Sequence, residues 1–164
     1  MINNKYIYLL IYVFFNYLFS QDIGQKLFEE KKYGQAQKYY ESVLEKRADD
    51  KAAQYGIGSS AYYQNNIEEA LNSFGNILDS EDKELKSKAY YNIARILQDK
   101  NETKQSLAYY RKSLELNPSD IDTKINYELL KNQISQNKEQ KNGEDNENND
   151  SKSDEQPRQD SQSD

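Results

Sequence analysis

The side chains of this chain favour binding chemistry over catalysis. Its 164 residues include no His and no Cys, which removes the commonest general base and all thiolate chemistry. No Gly-rich phosphate loop, no helical His-Glu metal pair and no nucleophile with a basic partner occurs. We therefore predict no catalytic residue, no metal and no cofactor. The candidate site residues are the aromatic, basic and amide types found at protein interfaces, with one Ser among them: Phe28, Tyr55, Ser59, Tyr62, Lys88, Tyr91, Asn92 and Arg95.

The elements that must position these residues follow a recurring helical pattern. Between residues 51 and 120, apolar residues at helical spacing are interrupted at Asn65-Asn66 and again at Asn101. Each copy is therefore a helix, a short polar turn and a second helix, in about 34 residues. A third and more divergent copy precedes them, from residue 21 to residue 50.

This pattern resembles the tetratricopeptide repeat. Small residues stand where its two helices approach closely, as Gly58 with Ala70 and as Ala94 with Ser106, and Pro118 matches its closing proline. The resemblance implies an all-α fold of helix-turn-helix repeats in a short right-handed superhelix, whose first helices line a concave groove. Counting along the repeats places all eight candidate residues on that groove. An ordinary helical hairpin bundle is the alternative.

The pattern divides the chain into three parts. The repeat domain covers residues 21–134, and its last helix is a single capping helix with a polar outer face of Lys124, Glu128 and Lys131. The predicted boundaries are a targeting segment at 1–20, repeats at about 21–50, 51–84 and 87–120, the capping helix at 121–134, and a disordered acidic tail at 135–164.

The first 20 residues read as a signal peptide. Lys5 supplies the positive flank, the run from Tyr6 to Phe19 is apolar apart from Asn16, and Ser20 is a small residue before Gln21. We expect cleavage near Ser20 and Gln21, and export to the periplasm or cell envelope. An uncleaved N-terminal membrane anchor is the alternative.

The tail carries most of the net charge. Residues 135–164 contain nine acidic and four basic residues, hence −5 of the total of −6. Such a composition buries too little apolar surface to offset the entropy of ordering it, so disorder is predicted. The repeat domain is close to neutral, which argues against a nucleic-acid partner.

Two further comparisons with the repeat family bear on the partner. Some members grip a peptide's C-terminal carboxylate with Lys, Asn and Arg residues; Lys88 matches one such position, but Gly56 and Asn92 depart from the pattern. From Asn117-Pro118-Ser119-Asp120 onward, with Asn126-Tyr127-Glu128 and the Gln/Asn-rich tail, the chain resembles the repeat proteins of bacterial aerotolerance (Bat) operons. That resemblance implies an envelope protein whose partners are von Willebrand A-type domain proteins and a MoxR-type ATPase.

The sequence thus favours a non-catalytic scaffold that binds a protein or peptide in its groove. A structural module that self-associates, through the groove or the open ends of the stack, is the alternative. We expect contact with a membrane only through the N-terminal segment.

Overall fold

The computed structural model describes residues 22–150, with side chains through residue 137, and Tyr8 ahead of them. The predictions for residues 1–20 and for the end of the tail, 151–164, otherwise lie outside these residues. The part that the structure describes after Tyr8 contains seven helices and no strand. They are α1 (Ile23–Glu29), α2 (Tyr33–Lys46), α3 (Lys51–Tyr63), α4 (Ile67–Gly75), α5 (Lys83–Asp99), α6 (Thr103–Leu116) and α7 (Ile121–Asp150).

The helices form three hairpins followed by one helix. The hairpins are α1–α2, α3–α4 and α5–α6, and α7 packs against α6. Each hairpin also contacts the next one, and the first helices of neighbouring hairpins touch, α1 with α3 and α3 with α5. One side of the stack is therefore made by the first helices, as the repeat pattern predicts.

The three hairpins turn at the same place by the same backbone conformation. Lys31, Asn65 and Asn101 have φ of 60°, 62° and 61°, in the left-handed region. Asn enters this region more easily than most side-chain residues, whereas Lys is strained there. In each hairpin the second helix begins two residues after this one. The Asn66 side chain caps α4 by accepting a hydrogen bond from Glu69 N.

Close helix approach depends on glycines that face aromatic rings. A Cβ on Gly58 would lie 2.9 Å from the fully buried Phe74 ring, which accounts for the small residue predicted there. The Tyr40 ring lies between Gly24 and Gly56, and a Cβ on either would overlap it. Gly56 is therefore small because it packs on Tyr40, a contact between the first and second hairpins.

In the third hairpin, hydroxyl groups hold the helices together. Ser106 stands where the second hairpin has Ala70, and its Oγ donates to the Ala94 carbonyl at 2.8 Å. Ser87 and Ser113 each donate to the other's carbonyl oxygen at 2.9 Å. These buried hydroxyls are satisfied, so serine is tolerated in the interface without an unpaired polar group.

Between the second and third hairpins the chain makes an extended turn. Helix α4 ends at Gly75, and Ile77 is fully buried just after it. The side chain of Asp82 accepts hydrogen bonds from Glu84 N and Leu85 N, both at 3.0 Å, and starts α5. Helix α5 has 17 residues against 13 in α3.

The C-terminal helix is longer than the capping helix predicted at 121–134, because it continues to Asp150. Gln, Lys and Glu within residues 135–150 are good helix formers, and the next proline comes only at 157. The disordered acidic tail predicted at 135–164 stays a prediction. Lys124, Glu128 and Lys131 are exposed on this helix, and so are Ile121, Ile125 and Leu129.

Candidate functional site

A groove of about 420 Å³ runs along the first helices of the three hairpins. Most of its walls come from α1, α3 and α5, and aromatic rings dominate its lining. The lining residues are Asp22, Gln25, Phe28, Tyr40, Ala52, Tyr55, Gly56, Ser59, Tyr62, Tyr63, Leu85, Tyr91, Asn92 and Arg95.

The structure brings seven of the eight candidate residues together in this groove. They are Phe28, Tyr55, Ser59, Tyr62, Tyr91, Asn92 and Arg95. Lys88 is not among the residues that line this cavity. Its Nζ lies 2.6 Å from the Glu84 carboxylate one turn earlier on α5, and this hydrogen bond raises the pKa of Lys88. Whether any of the eight residues binds a partner stays a prediction.

At one end the groove is walled by an aromatic cluster that the candidate list did not include in full. Tyr63 stacks on Tyr33 with ring centroids 4.9 Å apart and meets Phe28 edge-on at 5.3 Å. Tyr63 remains 50% exposed, so its ring offers a face to a ligand. Its neighbour Tyr62 was found by repeat position; the adjacent pair of tyrosines is the signal that would have identified Tyr63.

A repeated hydrogen bond joins neighbouring first helices along the groove floor. The Asn92 amide donates to the Tyr55 hydroxyl at 3.0 Å, and the Asn126 amide donates to the Tyr91 hydroxyl at 3.3 Å. The two Asn residues occupy the same position in successive repeats, and so do the two Tyr residues. The same kind of hydrogen bond therefore links α3 to α5 and α5 to α7.

Arg95 is the only cationic side chain among the groove-lining residues described. Its guanidinium lies over the ring of Tyr62 at 5.0 Å and over the ring of Tyr91 at 5.7 Å, as in cation–π contacts. The Tyr62 hydroxyl donates to the Asp99 carboxylate at 2.7 Å. Burial raises the pKa of both tyrosines, so the phenols stay neutral near pH 7.

Two features are absent from the described part of the chain, a cluster of metal ligands and a membrane-spanning helix. No group of three or more His, Cys, Asp or Glu side chains there is arranged to hold a metal ion. Of the helices described, none has both the length and the apolar character that a bilayer crossing requires.

The fold and groove define a repeat protein of stacked helical hairpins with a concave aromatic surface. Two family models described as Tetratricopeptide repeat match the chain, one at residues 22–62 and one at residues 87–120. These matches identify tetratricopeptide repeats at residues 22–62 and 87–120. The predicted resemblance to the tetratricopeptide repeat is thereby confirmed, and the predicted all-α repeat fold with it.

Solved structures of tetratricopeptide repeat domains resemble this fold. The Sgt2 repeat domain from Aspergillus fumigatus is 17% identical, with a TM-score of 0.63 over 85% of this chain and 83% of its own. The first repeat domain of Spaghetti (RPAP3), bound to an HSP90 peptide, is 15% identical, with a TM-score of 0.61 over 68% of this chain and 87% of its own.

A third structure is the Yersinia enterocolitica type III secretion chaperone SycD with a peptide of the translocator YopD. It is 17% identical, with a TM-score of 0.59 over 73% of this chain and 89% of its own. At these identities the likeness establishes the fold. No curated protein matches the chain in sequence.

Proposed function

We propose that this protein is a non-catalytic scaffold that binds a segment of a partner protein in its concave groove. The observation that carries the proposal is the groove itself: exposed and half-buried aromatic rings surround a single Arg, and interfaces concentrate their anchors in these residue types. Two proteins of the same fold are described with a bound peptide, an HSP90 peptide and a YopD peptide.

A site-specific crosslink tests this proposal. A photo-reactive residue replaces Gln25, which lines the groove, and in a control replaces Arg111, an exposed residue of α6 outside the lining. The groove position should capture a defined partner in cells, identified by mass spectrometry, and the control position should not. Capture of the same partner from Arg111 alone would move the binding surface to the other side of the stack.

The cellular setting is a proposal that the sequence supports. The apolar run after Lys5 favours export, and the run from Asn117 to Asp120 favours a Bat-type role in aerotolerance. The captured partner would then be a von Willebrand A-type domain protein or a MoxR-type ATPase. The mature protein should begin at Gln21; recovery of peptides from Met1 to Lys5 in envelope protein would instead support a membrane anchor.

Self-association is a second candidate function, and the exposed face of α7 favours it. Ile121, Ile125 and Leu129 follow one another at i, i+4 spacing and are 68%, 53% and 62% exposed. Light scattering during size exclusion distinguishes the candidates. A monomer favours the scaffold. A dimer favours self-association through α7 if the double variant Ile125→Glu, Leu129→Glu dissociates it.

A further inference from the structure

Arg95 is held in a geometry that leaves part of its hydrogen-bonding capacity available. The rings of Tyr62 and Tyr91 lie against the guanidinium, and one Nη donates a long hydrogen bond of 3.4 Å to the Tyr62 hydroxyl. A guanidinium has five N–H donors in one plane, so contacts with its faces do not use them up.

Within the described side chains, no carboxylate forms an ion pair with Arg95. Among the residues whose side chains are described, none brings a carboxylate oxygen within 4.0 Å of its guanidinium. Asp99, one turn further along α5, accepts from the Tyr62 hydroxyl instead. Asp22, the one acidic residue of the lining, accepts from Gly24 N at 2.9 Å and from the Tyr40 hydroxyl at 3.2 Å.

Two other basic side chains on the first helices are paired with carboxylates. Lys88 lies 2.6 Å from Glu84, and Lys51 lies 2.9 Å from Asp79. Arg95 differs from them in being both half-buried in the groove and without an anion. A cation in that position is stabilised when an anion reaches it, and a carboxylate matches the guanidinium edge in two parallel hydrogen bonds.

We propose that Arg95 receives the side-chain carboxylate of an Asp or Glu in the bound segment, with aromatic or aliphatic residues beside that acidic residue. This rests on the proposed function, that the groove binds a partner segment. The rings of Phe28, Tyr55 and Tyr63 supply the apolar surface for the neighbouring residues. The partner is thus recognised by an acidic residue within an apolar motif.

The surroundings favour an internal acidic residue over a chain terminus. A terminal carboxylate is gripped by several donors, yet Gly56 has no side chain and Lys88 is paired with Glu84. The Asn92 amide donates to Tyr55 and to the Lys88 carbonyl, both at 3.0 Å. One guanidinium therefore remains, which suits one carboxylate on a side chain.

A display selection tests the preference without a known partner. The probe is a library of random 12-mers displayed on phage with their C-termini joined to the coat protein, so no free terminal carboxylate is present. Selection on the full-length chain should enrich Asp or Glu next to aromatic or aliphatic residues. The enrichment of acidic residues should disappear on Arg95→Gln and persist on Arg111→Gln, a matched change outside the groove.

The outcomes separate the inference from the proposed function. Binders without acidic enrichment, or acidic enrichment unchanged by Arg95→Gln, would overturn the role of Arg95 and leave a peptide-binding groove. Failure to select any binder would contradict the groove proposal itself, and the inference would fall with it.

A double-mutant cycle then measures the contact with a selected peptide, acetylated and amidated at its ends. Changing its acidic residue to Gln or Asn should weaken binding to the unmodified chain about tenfold or more, as for loss of a charged hydrogen-bonded pair. On Arg95→Gln the same peptide change should alter affinity by less than about twofold. Equal losses on both proteins would show that the carboxylate binds elsewhere. Because the peptide change leaves the protein intact, a folding defect in the variant cannot hide a negative result.

Discussion

At the residue scale, the shape of the groove depends on the absence of a side chain at Gly56 as much as on the aromatic rings of the lining. Repeat counting explains Gly58, which faces Phe74, but gives no reason for Gly56 beyond the absence of an expected Asn. The reason is in the preceding hairpin, where Tyr40 fills the space between Gly24 and Gly56. A contact between hairpins depends on residues 16 positions apart, and helical periodicity within one hairpin does not report it.

Gly56→Ala should therefore destabilise the protein although Ala is the better helix former. Overpacking against the buried Tyr40 ring costs about 1–3 kcal/mol, which outweighs a propensity gain of about 1 kcal/mol. Gly75→Ala is the matched control, since nothing lies within 4 Å of a Cβ there, and it should leave stability equal or slightly higher. Urea unfolding measures both. A stabilised Gly56→Ala would mean that Tyr40 does not hold this position.

Phe74 tests the division between core and groove. Its side chain is fully buried, so Phe74→Ala should cost about 3–5 kcal/mol and unfold much of a stack this small. Tyr55→Phe removes only the hydroxyl that accepts from Asn92 while keeping the ring contact with Phe74 at 5.6 Å. It should cost about 1 kcal/mol in thermal or urea unfolding. If Tyr55→Phe proved the more damaging change, the assignment of core and groove would be reversed.

At the scale of the element, the turns are the feature that the sequence predicts best. Polar breaks at Asn65-Asn66 and Asn101 locate two turns, and the structure adds that all three share a left-handed residue. Lys31 occupies that position in the first hairpin, where a side chain with a Cβ is strained.

Replacing Lys31 with Gly should accordingly raise stability, whereas replacing it with Ala should not. Lys31→Gly relieves the left-handed strain and should add about 1 kcal/mol to the free energy of unfolding, less some loss from a more flexible unfolded chain. Lys31→Ala keeps the Cβ and should change stability by only a few tenths of a kcal/mol. The same gain from both variants would place the effect in the Lys charge and not in the backbone.

The helix α7 marks the limit of prediction from sequence at this scale. Its apolar residues predict a helix, and Leu130 does pack against Ala94 and Tyr110. The residue at which it ends does not follow from composition, because a polar segment with Gln, Glu and Lys is compatible with both a solvated helix and a disordered tail. Its exposed apolar face was likewise missed, since periodicity gives the apolar positions but not which of them a neighbour covers.

At the scale of the whole molecule, the packed core of the helix stack ends on α7. The last fully covered apolar side chain described is Leu130, at 2% exposure. Deleting residues 138–164 should therefore shift the urea midpoint very little, whereas deleting residues 121–164 uncovers Tyr110 and should cost about 3 kcal/mol. A comparable loss from the shorter deletion would mean that the tail docks on the repeats, and the first candidate site for it is Arg95.

The sequence located most of the groove because repeat position specifies which side of a helix faces inward. It did not give the pairing of Lys88 with Glu84, and Lys88 is absent from the lining of the cavity. It also gave no ligand chemistry for Arg95, because the missing counter-ion is visible only once all neighbouring side chains are in place.

The most direct test of the account is to map the bound segment on the protein by NMR. Backbone amide shifts are followed while the full-length chain is titrated with a selected acidic peptide. The account predicts that the largest changes fall on α3 and α5, around Tyr55, Ser59, Tyr62, Tyr91 and Arg95. Largest changes on the second helices α2, α4 and α6, with α3 and α5 unaffected, would contradict it.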